Sequence, residues 1–117
     1  MEKKEVEKLK NKELRRLKGI YKDLPPDKLK LVEGLIEEAA RLKARLDYLW
    51  KDLQDNGEWE YFTQSDKTDP YERERPASRI YTNTNKSYQS IIAQLDKMLD
   101  DVQKKPEKSK LERLMDE

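Results

Sequence analysis

DKLKLVEGLIEEAARLKARLDYLWKDLQDN, residues 27–56, decides the fold. Its apolar residues fall into three neighbouring columns at helical spacing. Leu29, Ile36 and Trp50 stand seven or a multiple of seven apart, with Lys43 in the gap. Val32, Ala39, Leu46 and Leu53 make a second column, and Leu35, Leu42 and Leu49 a third. Three adjacent columns form an apolar face wider than the seam of a two-stranded coiled coil. Pro25-Pro26-Asp27 sets the start, with proline near the first helical position and an acid in the first turn. Asn56-Gly57 sets the end, glycine suiting the left-handed residue that closes a helix.

A second long pattern follows Pro76. Ala77, Tyr81, Thr84, Tyr88, Ile91, Leu95, Met98 and Val102 step by alternating fours and threes, and Ile92 and Leu99 widen the stripe. At about 1.5 Å per residue the two seams are about 36 and 38 Å long. Helices of matched length joined by an 18-residue link pack most simply as an antiparallel pair. The expected fold is all-α: a long antiparallel two-helix hairpin, helices about 27–56 and 76–104, with an additional charged N-terminal helix. The expected organisation is a basic N-terminal helix (1–23), the helical hairpin (24–105) and a flexible tail (106–117) starting where Lys104-Lys105-Pro106 ends the helix. Residues 57–75 read as an irregular acidic aromatic link, with a capping-box look at Asp69-Pro70-Tyr71-Glu72 that suggests one helical turn.

Composition agrees with this plan. Hydrophobic residues make up 34% and charged residues 44% of the 117, which suits amphipathic helices better than a thick multilayer core. The net charge of +1 hides a segregation. Residues 1–23 hold nine bases against five acids, and residues 57–75 hold six acids against three bases. No apolar run approaches the roughly 20 residues of a membrane span, and the N-terminus lacks the apolar core of a signal peptide. The expectation is a protein that meets no membrane.

Much catalytic chemistry is excluded. With no histidine and no cysteine, transition metals lose their usual ligands, and no Ser-His or Cys-His nucleophile can be built. The three glycines stand apart at 19, 34 and 57, so there is no glycine-rich phosphate cradle. Acidic groups at Asp96, Asp100 and Asp101, or at Glu33, Glu37 and Glu38, read as solvated helix faces rather than a magnesium site. No catalytic, cofactor or metal residues are expected, and no small-molecule substrate. The chain is read as a binding and assembling protein, not an enzyme.

Two sets of residues are candidates for binding. Lys8, Lys12, Arg15, Arg16 and Lys18 on the first helix suit contact with DNA phosphates, which attract Lys and Arg without reading sequence. Leu31 and Gly34 lie off the main seam of the second helix, where a close neighbour, the first helix ahead of another subunit, would explain both. Trp59, Tyr61, Phe62 and Tyr71 either cover the open end of the hairpin near Trp50 or anchor an interface. The run Thr82-Asn83-Thr84-Asn85-Lys86-Ser87 is polar and weakly helix-forming, and reads as a solvated face or a set of hydrogen-bonding partners.

DLPPDKLKLVEGLIEEAARLKARLDYLWKDL (23–53) and YERERPASRIYTNTNKSYQSIIAQLDKML (71–99) together resemble the small terminase subunits of tailed bacteriophages, closest to the compact branch in phages of Gram-positive bacteria. The likeness covers residues 23–100 and is most characteristic at Arg75-Pro76-Ala77, followed by Asn85, Tyr88, Ile92 and Leu95. It implies a homo-oligomeric ring that engages double-stranded viral DNA in the cytoplasm of the infected bacterial host. It also implies regulation of the large terminase subunit, which carries the ATPase and nuclease. The departure is at the N-terminus, where no helix-turn-helix is evident. Two competing functions are a small phage-encoded inhibitor or adaptor acting on a host or defence protein, and a helical scaffold with no nucleic-acid role.

Overall fold

The computed structural model describes the backbone of residues 3–115 and the side chains of residues 3–102. Its elements run α1 (Lys3–Tyr21), α2 (Pro26–Asn56), β1 (Trp59–Phe62), β2 (Tyr71–Glu74) and α3 (Pro76–Met115).

α2 is the centre of the fold and packs against both other helices. Its second apolar column supplies the deepest positions: Val32 and Ala39 are fully buried, and Leu46 and Leu53 nearly so. Ala40 and Ala44 are also fully buried, widening the face beyond a single seam. That breadth is accounted for because α1 and α3 share it. α1 runs antiparallel to α2, as the ion pair from Glu5 near its start to Lys51 near the end of α2 shows. α3 is antiparallel to α2 as well, with Tyr81 against Trp50 at 5.7 Å between ring centroids. From α3 the core takes Tyr88 and Leu95, from α1 Leu17 and Tyr21, and from the turn between α1 and α2 Leu24.

The boundaries of α2 follow its sequence. Pro26 stands in its first turn, and the amide of Leu29 reaches the Pro25 carbonyl at 2.9 Å. Gly57 has φ 79°, where a side chain would be strained, and its amide closes the helix on the Leu53 carbonyl at 2.8 Å.

Two expectations are corrected here. The fold is predominantly helical but not all-α, because residues 57–75 contain a two-stranded antiparallel ribbon pairing Trp59 with Glu74, Glu60 with Arg73, Tyr61 with Glu72 and Phe62 with Tyr71. Aromatic side chains favour the pleated strand, and alternation with acids gives each strand two distinct faces. The helical turn expected at Tyr71-Glu72 is therefore the start of β2. The connection turns where Thr68 N–H donates to the Ser65 carbonyl at 3.2 Å and Lys67 N–H to the Ser65 hydroxyl at 3.3 Å.

The second correction concerns α3, which continues through Pro106 to Met115 instead of stopping at 104. Proline removes one amide donor, but Lys108, Lys110, Leu111, Glu112, Arg113 and Leu114 beyond it are good helix formers. The tail's last residues, 116–117, lie outside the described residues, as do the side chains of Leu111, Leu114 and Met115.

Candidate nucleic-acid interface and the exposed ribbon

Charge on α1 is sorted by direction. Its three described acids all have partners: Glu5 meets Lys51 at 3.5 Å, Glu7 meets Lys10 at 2.9 Å, and Glu13 is held by Arg16. Glu13 is the unusual one, with 6% of its surface exposed. Arg16 grips it with two hydrogen bonds, Nε to Oε2 at 2.9 Å and the other guanidinium nitrogen to Oε1 at 2.5 Å. The Tyr88 hydroxyl of α3 donates to the same Oε1 at 3.1 Å. The Arg16 hydrogen bond is the main reason the Glu13 carboxyl titrates below the usual carboxylate range, with the charge of Lys43 adding to it. Burial pushes the Tyr88 phenol up.

With those acids engaged, the outer face of α1 is left basic. Lys4, Lys8, Lys12, Arg15 and Lys18 are exposed and form no ion pair among the described residues. Lys4, Lys8, Lys12 and Arg15 recur every three or four residues, so they share one stripe; from Lys4 to Lys18 the rise is about 21 Å. Four of the five sequence candidates (Lys8, Lys12, Arg15 and Lys18) are thus on the outer surface without an acidic partner. Arg16 is placed differently, its charge committed to Glu13.

The other candidates separate in the same way. Leu31 is 63% exposed, and nothing lies within 4 Å of where a β-carbon on Gly34 would stand. The expectation that α1 approaches these two residues is wrong, since α1 packs on a different side of α2, where Leu14 lies beside Ala40. Nor do the link aromatics cover the open end of the hairpin. Trp50 is half exposed, and no residue of the ribbon belongs to the buried core.

The ribbon has two unlike faces. On one, Arg73 lies 3.5 Å over the Phe62 ring and donates to Glu60 at 2.8 Å, while Phe62 meets Tyr71 edge-on at 6.0 Å. That face satisfies itself. The other carries Trp59, Tyr61, Glu72 and Glu74, with Trp59 58% and Tyr61 78% exposed. The ribbon is tied to the helices by Arg75, which donates to both carboxylate oxygens of Asp52 at 3.1 and 3.0 Å and to the Gly57 carbonyl at 2.7 Å.

The polar run in α3 mostly serves its own helix. Thr84 is buried, while Thr82 and Ser87 hydroxyls donate to the Ser78 and Asn83 carbonyls one turn back. Among the described residues no three carboxylates gather in a way that could hold a cation, and no helix is long and apolar enough to cross a membrane.

Glu13 was missed in the sequence. Its signal was its position: Val6, Leu9 or Lys10, Glu13, Leu17 and Tyr21 step along the buried side of α1, so an acid occupied a core site, with Arg16 one turn on. Comparisons with protein-family models, curated proteins and solved structures return no match for this chain.

Proposed function

We propose that this chain is a phage DNA-packaging protein, a small terminase subunit that oligomerises, engages double-stranded viral DNA and regulates the large terminase subunit in the infected cell. The observation that carries DNA engagement is the segregated charge of α1. Each described acid of that helix has a basic partner, and one exposed side presents Lys4, Lys8, Lys12, Arg15 and Lys18 without acidic partners among the described residues. Such a stripe holds phosphates by releasing counterions and does not itself read bases. The resemblance of residues 23–100 to small terminase subunits supplies the packaging role, and the absence of histidine and cysteine agrees with chemistry done by another subunit.

The test is retention of a linear double-stranded DNA fragment across a salt series. The wild type should bind at 50 mM salt and release steeply as salt rises, and the K8E/K12E/R15E variant should lose at least tenfold in affinity with a salt slope shallower by about 2–3. Retention unchanged by those reversals, or absent at 50 mM salt, refutes DNA engagement through α1.

A second reading is supported by one observation, the exposed Trp59 and Tyr61 on a ribbon outside the core. In it the chain is an inhibitor or adaptor that docks a host protein through these rings. It predicts a W59A/Y61A variant that loses a protein partner and keeps any DNA retention.

A further inference from the structure

The ribbon's open face and a cleft at the far end of the bundle are complementary. Trp59 and Tyr61 stand exposed beside Glu72 and Glu74 on one face of the ribbon, and neither acid has an ion pair among the described residues. Neighbouring exposed Trp and Tyr side chains on one face are the residue types that anchor interfaces. The two arginines nearest them, Arg73 and Arg75, are engaged elsewhere, with Glu60 and Asp52. The face is therefore both aromatic and anionic.

The cleft lies between the end of α1 and the start of α2 and encloses about 360 Å³. Tyr21, Leu29 and Ile36 give it apolar walls, and Lys18, Lys22 and Lys30 line it against a single acid, Glu33. An opening with apolar walls and three ammonium groups suits an aromatic ring flanked by carboxylates. The two surfaces cannot meet inside one chain. Leu29 and Asn56 are separated by about 40 Å of α2, with the cleft at one end and the ribbon past the other.

We propose that the ribbon face of one copy docks in the Lys18–Lys22–Lys30 cleft of a second copy. Because the two surfaces differ, the contact is head to tail, so repetition closes a ring or extends a filament. The inference rests on the oligomeric part of the proposed function and assigns the surfaces that would make it.

The experiment is sedimentation velocity on the full chain at 10–100 µM for the wild type, E72K/E74K, K22E/K30E and an equimolar mixture of the two variants. All the altered positions are exposed, so each variant should keep the wild-type circular dichroism spectrum and melting temperature. The wild type should associate, and each variant alone should associate at least tenfold more weakly. The mixture should regain association, because each variant then finds an oppositely charged counterpart. A wild type that is monomeric at 100 µM overturns the contact, as do variants that associate like the wild type or fail to complement each other. K22E/K30E losing DNA retention while assembling normally also overturns it, and makes the cleft a phosphate site. A wild type that assembles by this route yet holds no DNA at 50 mM salt leaves the contact standing and sinks the packaging reading.

Discussion

The Glu13–Arg16–Tyr88 cluster joins α1 to α3 across the bundle, and its contribution to stability can be worked out. Tyr88→Phe removes one hydroxyl donor, 3.1 Å from Glu13 Oε1, and leaves the ring in place. Glu13 keeps both Arg16 hydrogen bonds, so no buried acceptor is orphaned, and the loss is one hydrogen bond to a charged group, about 1.5 kcal/mol. Glu13→Gln preserves shape but removes the charge that Arg16 grips. Because the Arg16 side chain is 53% exposed, the freed guanidinium can turn to water, which keeps the cost near 2 kcal/mol, below that of breaking a fully buried pair. The two groups touch, so their effects should not add: the double variant should cost about 1 kcal/mol less than the sum. Urea melts followed by circular dichroism measure all three, and each kcal/mol should move the melting temperature by roughly 3–6 °C. Additivity within about 0.3 kcal/mol, or a Glu13→Gln protein more stable than wild type, would refute the cluster as a tie between the helices.

Other consequences are equally open to measurement. Glu13 titrates below the usual carboxylate value in the folded state, so its stabilisation is fully present above about pH 4.3 and fades as the pH falls through the folded value; the stability gap between wild type and Glu13→Gln should shrink on acidification below that point and stay constant from pH 6 to 8. Leu95→Ala empties a fully buried site and should cost about 2–5 kcal/mol in urea melts, whereas Ile80→Ser on the exposed side of α3 should change stability by under about 0.5 kcal/mol. Gly34→Ala meets no neighbour within 4 Å, so better helix propensity should raise the melting temperature by the equivalent of about 0.5–1 kcal/mol. Arg75→Ala cuts the ribbon's tie to Asp52 and Gly57, and amide exchange should speed up in residues 59–62 and 71–74 while the α2 amides keep their protection.

The helices were legible because each obeys one dominant rule. A buried column at Val32, Ala39, Leu46 and Leu53 leaves a seven-residue repeat of apolar side chains. The ribbon was hidden by its composition. Glu58, Glu60, Asp66 and Asp69 make the segment read as an irregular acidic link, although WEYF and YERE each alternate in the manner of a strand. Only pairing across a turn tests such short alternations, and pairing is not local. Glu13 was hidden for the opposite reason. Among so many charges its place in the buried row of α1 looked ordinary, and its tie to Tyr88, 75 residues away, is not local. The basic stripe was half legible: its lysines and arginines could be named, but that Glu5 is taken up by Lys51 of α2 and that Glu13, buried against Tyr88 of α3, holds Arg16 depends on the packed bundle.

Arg75 holds the ribbon at its root, and none of its strand residues enters the buried core. The exposed face of the ribbon and the buried core therefore draw on separate sets of residues. Substitutions at Trp59, Tyr61, Glu72 or Glu74 can change the chemistry of that face while Val32, Ala39 and Leu95 go on specifying the bundle. The ribbon is thus a part whose surface can vary at little risk to the folded state.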